Sequence, residues 1–183
     1  MKNIKNITLA SMIIALIALM AFVPWIGFIN VPPIAITLIH VPVILGTVII
    51  KEYKYAFVFG LAFGLLSFIV NSYTPSLTQA IFFNPMVSVF PRLFVGLTSL
   101  AAYNLTNNAS GNDIFSMIIA AIIGTITNTI LVITAISAFG DSTFAAGLIS
   151  GIKYIITVNG TLEIVAAVIL VPAIGKALMK VKR

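Results

Sequence analysis

Charged residues in this chain are confined almost entirely to its two ends and a few short turns, which leaves long stretches nearly free of charge. Only 8% of its 183 residues are charged and 61% are hydrophobic, so the mean hydropathy reaches +1.19. A soluble domain of this length cannot bury so much apolar surface, because a small protein has a large surface for its volume. The sequence therefore predicts a protein that lies within a lipid bilayer.

Turn-forming residues divide the apolar sequence into stretches that can cross a bilayer as helices, each of which needs about 20 residues. We predict an all-α membrane protein with a single domain over residues 1–183. Its six transmembrane helices are placed at about residues 7–22, 34–50, 55–70, 84–103, 114–138 and 145–174. The basic start resembles that of a signal peptide, but no clear cleavage motif follows, so we predict a retained first helix.

The basic residues predict the orientation of these helices. With six spans, one side of the membrane receives Lys2, Lys5, Lys51, Lys54, Lys176, Lys180, Lys182 and Arg183, and the loops on the other side contain neither Lys nor Arg. Because Lys and Arg accumulate in cytoplasmic loops, we predict a multi-pass protein of the cell membrane with both termini in the cytoplasm. The net charge of +6 follows from this pattern and predicts no nucleic-acid partner.

A few polar side chains lie inside the apolar stretches, where exposure to hydrocarbon is costly. They are His40, Asn84, Arg92, Asn128, Asn159 and Glu163. Glu163 either locks two helices together or contacts a ligand, and it shares a helix face with Asn159, four residues earlier. Arg92 either pairs with Glu163 or binds a carboxylate through its planar guanidinium. Asn128 either bonds neighbouring helices or donates to a ligand.

No metal site, cofactor or enzymatic activity is predicted. His40 is the only histidine and the chain has no cysteine, so a hydrogen-bonded core histidine is favoured over a metal ligand. No Gly-rich ATP-binding loop of the Walker type is present, because neither Gly-Lys-containing segment has the required spacing. Energy for transport must then come from an ion gradient or from a partner protein.

Small residues four positions apart allow helices to approach closely. Such sets occur on the first, third and sixth spans: Ser11 with Ala15 and the nearby Ala18, Gly60 with Gly64, and Gly147 with Gly151. We interpret the two glycine pairs as internal packing surfaces. The small face on the first span is a candidate docking surface for a partner protein.

Three segments carry a resemblance to a known family: residues 84–92 (NPMVSVFPR), 125–129 (TITNT) and 159–163 (NGTLE). Together with the six-span layout, they resemble the substrate-binding S components of energy-coupling factor (ECF) vitamin transporters over nearly the whole chain. The resemblance implies capture of a water-soluble vitamin from outside, in a pocket near the outer helix ends beneath loops one, three and five. It further implies association with a transmembrane coupling subunit (T component) and two ATPase subunits, and toppling of the S component in the membrane to release the vitamin. The family docks through an Ala-x-x-x-Ala pattern on the first helix, and Ser11-x-x-x-Ala15 is the nearest match.

The segment at residues 84–92 looks most like that of pantothenate-type S components, and Arg92 suits a carboxylate, so pantothenate is favoured. Pyridoxine or a hydroxymethylpyrimidine is the alternative, because the outer loops carry aromatic residues that can stack on a flat ring: Trp25, Tyr73, Phe82 and Phe83. Aromatic residues in these loops are either interfacial anchors or parts of a lid. The predicted substrate-binding residues are therefore Trp25 and Tyr73 together with the six intramembrane polar residues named above.

Other classes of membrane protein remain as alternatives. A proton-coupled secondary transporter would carry its proton on Glu163, although such proteins usually show internal repeats and none is evident here. An intramembrane serine protease would need Ser150 and His40 as its catalytic pair, but the spacing around Ser150 does not match a known motif. A purely structural membrane subunit is the third alternative.

Overall fold

The computed structural model describes residues 2–31, 34–73, 80–139 and 155–182, and most of them are helical. In chain order the elements are α1 (Lys2–Phe22), α2 (Pro24–Gly27), β1 (Phe28–Val31), β2 (Ile34–Thr37), α3 (His40–Ile50), α4 (Tyr53–Tyr73), a 3-10 turn (Ala80–Phe83), α5 (Pro85–Ser88), α6 (Phe90–Ser110), α7 (Asp113–Phe139), a π-helical turn (Ile155–Gly160) and α8 (Thr161–Lys182).

Five helical segments are long and apolar enough to cross a membrane: Ile4–Phe22, Tyr53–Tyr73, Pro85–Ser110, Asp113–Phe139 and Val158–Lys180. They agree with the first, third, fourth and fifth predicted spans to within a few residues at most ends. The first part of the predicted sixth span, residues 145–154, lies outside the described residues. The predicted multi-pass membrane character is confirmed. The number of spans and the orientation of the termini stay predictions.

The predicted second span, residues 34–50, is divided between two elements. Residues Ile34–Thr37 form β2, which pairs antiparallel with β1, and only the eleven residues His40–Ile50 form a helix. Eleven residues make a helix of about 16 Å, roughly half the thickness of the hydrocarbon core. The all-α class is confirmed, and the β-hairpin, whose β-branched residues favour strands, is a local departure from the predicted second span.

Helix α3 occupies the centre of the bundle. All eleven of its residues are buried, and it packs against α1, α4, α6, α7 and α8. A helix that is apolar on every face is expected to be enclosed on every face. The long helices around it instead expose apolar side chains such as Met12 and Ile169, as lipid-facing helices do.

Glycines allow α4 and α6 to approach closely. A Cβ atom on Gly60 would lie 2.7 Å from the carbonyl oxygen of Arg92, and one on Gly64 would lie 2.8 Å from the Cα atom of Val89. The prediction that Gly60 and Gly64 form an internal packing surface is therefore confirmed. The other predicted glycine pair, at positions 147 and 151, lies outside the described residues.

A polar cluster joins the helices at the end of the bundle where α3 meets α4. Lys51 ends α3 with a left-handed φ of 62°, and its Nζ atom donates to the Tyr103 hydroxyl at 2.6 Å. The Tyr103 hydroxyl donates to Asp113, which also lies 3.5 Å from Lys51 Nζ. Asn6 on α1 donates to Glu52 Oε1 at 2.8 Å. These contacts connect α1, the α3–α4 turn, α6 and α7.

Replacing Gly96 by Ala tests the close packing of α4 on α6. The new Cβ atom would lie 2.3 Å from the carbonyl oxygen of Ala56, and a helix backbone has no rotamer by which to move away. We expect a loss of about 1–3 kcal/mol in the free energy of unfolding, the usual cost of overpacking. The measurement is the thermal unfolding midpoint of the detergent-solubilised protein.

The matched control is Gly175→Ala, whose Cβ atom would lie 2.8 Å from the Sδ atom of Met117. Because methionine is flexible, this side chain can shift, and we expect a clearly smaller change in the midpoint. Equal losses in the two variants would contradict the description of the α4–α6 contact.

Candidate functional site

Glu163 connects the β-hairpin to α8. It lies in the first turn of α8, is only 7% exposed, and its Oε1 atom accepts a hydrogen bond from the backbone N–H of Thr37 at 2.8 Å. Thr37 is the last residue of β2, so the carboxylate holds one end of the hairpin on the helix. One of the two roles predicted for Glu163 was a bond that locks two helices together. The bond in the structure joins a helix, α8, to a strand, β2.

Arg92 is buried near the start of α6, and its Nη1 atom donates to the carbonyl oxygen of Val87. In an uninterrupted helix this carbonyl would accept from the residue four positions later, which is Pro91 and has no N–H. The arginine side chain therefore satisfies a backbone acceptor that the proline leaves free. This role of Arg92 was not predicted from the sequence, although the adjacent residues Pro91 and Arg92 indicate it.

The Arg92 guanidinium keeps one buried donor, the Nε atom, without a hydrogen-bond partner in the described part of the chain. Its central carbon lies 5.8 Å from the centre of the Phe63 ring and 5.3 Å from that of Phe82. Within the described ranges it forms no ion pair with Glu163. A buried guanidinium with no carboxylate partner among the described residues is suited to an anionic ligand.

Asn84 caps a helix. Its Oδ1 atom accepts a hydrogen bond from the backbone N–H of Met86 at 3.0 Å, and Pro85 occupies the first position of α5. Asn at the cap followed by Pro is a frequent way to begin a helix, so the sequence Asn84-Pro85 already carried this signal. The cap fixes the start of the segment that leads into Arg92.

Asn128 and Asn159 each present a buried amide oxygen that no described group satisfies. Asn128 lies on α7 and is 8% exposed, whereas Asn159 lies in the π-helical turn, which packs against α7 and β2. An unpaired buried acceptor costs about 1–3 kcal/mol, so such atoms are rare unless they have a role. Each of the two oxygens could accept a hydrogen bond from a hydroxyl or an amide N–H of a ligand.

His40 is completely buried at the start of α3, and its Nε2 atom lies 3.1 Å from the Thr125 hydroxyl. The prediction of a hydrogen-bonded core histidine is confirmed, and the bond links α3 to the segment of α7 that carries Asn128. Substrate contact by His40 stays a prediction. Ser150, the other residue required by the protease alternative, lies outside the described residues.

Trp25 and Tyr73 stand apart from the buried polar residues. Their exposed fractions are 92% and 80%, at α2 and at the end of α4 respectively. This exposure agrees with interfacial aromatic anchors. By contrast, the elements that carry Arg92, Asn128, Asn159 and Glu163 pack on one another: α6 on α7, the π-helical turn on α7 and α8, and α8 on α7.

We call Arg92, Asn128, Asn159 and Glu163 the buried polar group. Comparison with known proteins identifies the family of this chain: the family model for the substrate-specific component of ECF transporters matches residues 5–175. The chain belongs to this family of S components. The resemblance inferred from the sequence is therefore confirmed, and the S component is a membrane subunit of a transporter.

Two curated relatives of this S component are pantothenate transporters. The pantothenic acid transporter PanT of Lactococcus lactis subsp. cremoris is 35% identical over 164 residues, which cover 82% of this chain and 81% of the relative. The pantothenate transporter PanT of Leuconostoc mesenteroides subsp. mesenteroides is 26% identical, with 97% of this chain and 93% of the relative covered. Both matches extend over most of the membrane domain.

The bond between Glu163 and Thr37 predicts a local effect of Glu163→Ala. A hydrogen bond to a charged group contributes about 1.5–3 kcal/mol, so we expect the Thr37 amide to exchange with solvent deuterium about tenfold faster or more. The measurement is hydrogen–deuterium exchange of peptides that contain β2. Glu163→Gln keeps an acceptor oxygen and should retain most of the protection. Unchanged exchange in Glu163→Ala would show that this carboxylate does not hold the hairpin.

Proposed function

We propose that this S component captures pantothenate from outside the cell for ATP-driven uptake by partner ECF subunits. In this proposal the chain crosses the membrane six times with both termini in the cytoplasm. It has no ATPase of its own and works with a T component and two ATPase subunits. The observation that carries the choice of vitamin is the 35% identity to a pantothenic acid transporter over 82% of the chain.

The chemistry of the buried polar group supports this substrate. Pantothenate has a carboxylate at one end, an amide in the middle and hydroxyl groups at the other end. The guanidinium of Arg92, whose Nε atom has no partner among the described residues, would bind the carboxylate. The amide oxygens of Asn128 and Asn159 would accept from the hydroxyl or amide donors of the vitamin, which removes the cost of leaving them unpaired.

The surroundings of Arg92 also support a ligand with a carboxylate. An arginine already paired with an acid binds a second carboxylate less well, and Glu163 is instead occupied by the Thr37 N–H. Asn84 and His40 would support the site indirectly, since one caps α5 and the other is bonded to Thr125 on α7. Trp25 and Tyr73 would lie at its outer boundary.

The alternatives receive less support. Stacking of pyridoxine or a hydroxymethylpyrimidine was expected from four aromatic residues: Trp25, Tyr73, Phe82 and Phe83. Trp25, Tyr73 and Phe83 are exposed. Phe82 is half-buried and its ring centre lies 5.3 Å from the central carbon of Arg92, so one of the four rings adjoins the proposed site. Membership of the S-component family argues against a transporter that works alone on a proton gradient, because S components are one part of a larger transporter. It also argues against a serine protease.

The small face of α1 would bind the T component. Ser11 and Ala15 are exposed and Ala18 is half-buried, so the other described residues leave most of this surface uncovered. The Ser11 hydroxyl donates to the carbonyl oxygen of Ile7 at 3.0 Å. Its donor would therefore keep a partner when a second helix covers this face. Small residues of this kind let two membrane helices approach closely.

Removal of the Arg92 side chain tests the proposed substrate contact. We expect Arg92→Ala to bind pantothenate about 10- to 100-fold more weakly, because a charge-assisted hydrogen bond contributes about 1.5–3 kcal/mol. Isothermal titration calorimetry on the purified S component measures the affinity. Pantothenol, in which an alcohol replaces the carboxylate, is the matched ligand and should bind the wild type and the variant with similar affinity.

The Arg92 variant needs a control for its fold, since Arg92 also satisfies the Val87 carbonyl. Arg92→Lys keeps the charge and should retain part of the affinity, and thermal unfolding reports whether each variant is folded. Unchanged pantothenate affinity in a folded Arg92→Ala protein would exclude Arg92 as the carboxylate ligand. A wild-type chain that binds pyridoxine and not pantothenate would overturn the proposed substrate.

A bulky residue on the small face of α1 tests the docking surface. Ser11→Leu and Ala15→Leu should leave pantothenate binding by the isolated S component unchanged and abolish uptake by the complete transporter, because the added atoms hold the partner helix away. Met12→Phe adds bulk at a neighbouring exposed position and is the control, with uptake expected to persist. Normal uptake by both leucine variants would place the docking surface elsewhere.

A further inference from the structure

A cavity of about 820 Å³ lies at the end of the bundle opposite the buried polar group. It is formed by the end of α3 and the Lys51–Glu52 turn, the start of α7 and the last turns of α8. Its volume falls within the range of about 300–1,000 Å³ that is usual for sites that bind small molecules. None of the residues proposed to bind the vitamin lines it.

The acidic residues in the lining of this cavity are already occupied. Asp113 lies 3.5 Å from Lys51 Nζ and accepts from the Tyr103 hydroxyl. Glu52 accepts from Asn6 and lies 3.6 Å from Lys54 Nζ. Each carboxylate thus lies beside one lysine ammonium, whose positive charge offsets its negative charge.

Lys176 and Lys180 supply a surplus of positive charge. Both line the cavity, and since they are four residues apart on α8 they share one face of that helix. Neither forms an ion pair with any described residue. Two lysine ammonium groups on one wall of a cavity suit an anion that carries a phosphate.

The other walls of the cavity are apolar, and its position is at the membrane boundary. Ile114, Met117 and Met179 contribute to the lining. The candidate span Asp113–Phe139 begins here and the candidate span Val158–Lys180 ends here, so the cavity lies at the depth of lipid headgroups. A soluble anion gains nothing from apolar walls, whereas a phospholipid has acyl chains that would contact them.

We propose that this cavity binds the headgroup of an anionic membrane phospholipid. Lys176 and Lys180 contact the phosphate, and the apolar wall contacts the first carbons of the acyl chains. Under the predicted orientation the lipid belongs to the cytoplasmic leaflet, where anionic lipids attract basic residues near the membrane surface. The contact would fix the end of α8 relative to the bilayer.

The test is lipid binding to the delipidated S component in detergent, measured by native mass spectrometry. Phosphatidylglycerol should bind more tightly than phosphatidylcholine with the same acyl chains. Lys176→Gln/Lys180→Gln should weaken phosphatidylglycerol binding by about tenfold, given the attraction of each basic residue to anionic lipid. The single replacements should each lose part of this affinity, so the result does not depend on one variant.

The matched control is Lys5→Gln, which removes one positive charge from a lysine that neither lines the cavity nor forms a described ion pair. It is compared with each single replacement, Lys176→Gln and Lys180→Gln, and should keep nearly all of the affinity for phosphatidylglycerol. An equal loss in the control and in the single replacements would reveal only general attraction to a basic surface and would overturn the proposal.

A second arm separates a lipid from a soluble anion. Inorganic phosphate and glycerophosphoglycerol, the headgroup without acyl chains, are added as competitors of phosphatidylglycerol. Both should compete much more weakly than the intact lipid, because neither contacts the apolar wall. Competition as strong as that of the intact lipid would assign the cavity to a soluble phosphate and overturn the lipid assignment.

Discussion

Hydrocarbon offers no hydrogen-bond partners, so polar groups of a membrane domain that are shielded from water need partners within the protein or from a ligand. Helix α3 shows how this constraint shapes the bundle. Its eleven buried residues are surrounded by five other helices, and polar contacts fix it at both ends. His40 is bonded to Thr125 at one end, and Lys51 is bonded to Tyr103 at the other. The short central helix is thereby held in register with α6 and α7.

The same constraint joins a helix break to a binding group. Pro91 deprives the Val87 carbonyl of its usual donor, and an unsatisfied carbonyl at this depth would be costly. The Arg92 side chain supplies the missing hydrogen bond and is thereby positioned, since one part of the guanidinium is committed to the backbone. Its Nε atom is buried without a hydrogen-bond partner among the described residues. The helix break at Pro91 and the buried cation of Arg92 are therefore one structural feature, which the sequence encodes in two adjacent residues.

Sequence reasoning predicted those features that a local pattern encodes. Long apolar stretches, the Gly60–Gly64 pair and a bonded core histidine all follow from residue type and spacing, and the structure contains them. Residues 34–50 were read as one span because an uninterrupted apolar run does not distinguish a membrane helix from a strand followed by a short buried helix. The hairpin becomes evident only when the pairing of β1 with β2 is known.

Other features depend on contacts between distant parts of the chain. The partner of Glu163 is a backbone N–H 126 residues away, and no residue pattern identifies a backbone group as a partner. Substrate contact by Asn84 stays a prediction, because the cap on α5 occupies its Oδ1 atom and such a contact would depend on parts of the chain that are distant in sequence. The lysines near the ends of the spans were used to predict orientation, and their surplus charge within a cavity became visible only from the packing of α3, α7 and α8.

Buried amide oxygens without partners occur at both ends of the bundle in the described part of the chain. At the Lys51 end they belong to Asn6 and Asn107, although hydrogen bonds and ion pairs occupy Asp113 and Glu52 there. At the other end they belong to Asn128 and Asn159, near the buried cation of Arg92. Each unpaired oxygen lowers the stability of the protein, and the close packing around α3 offsets that cost. A ligand that pairs with Asn128 and Asn159 binds only the folded protein and so stabilises it by mass action.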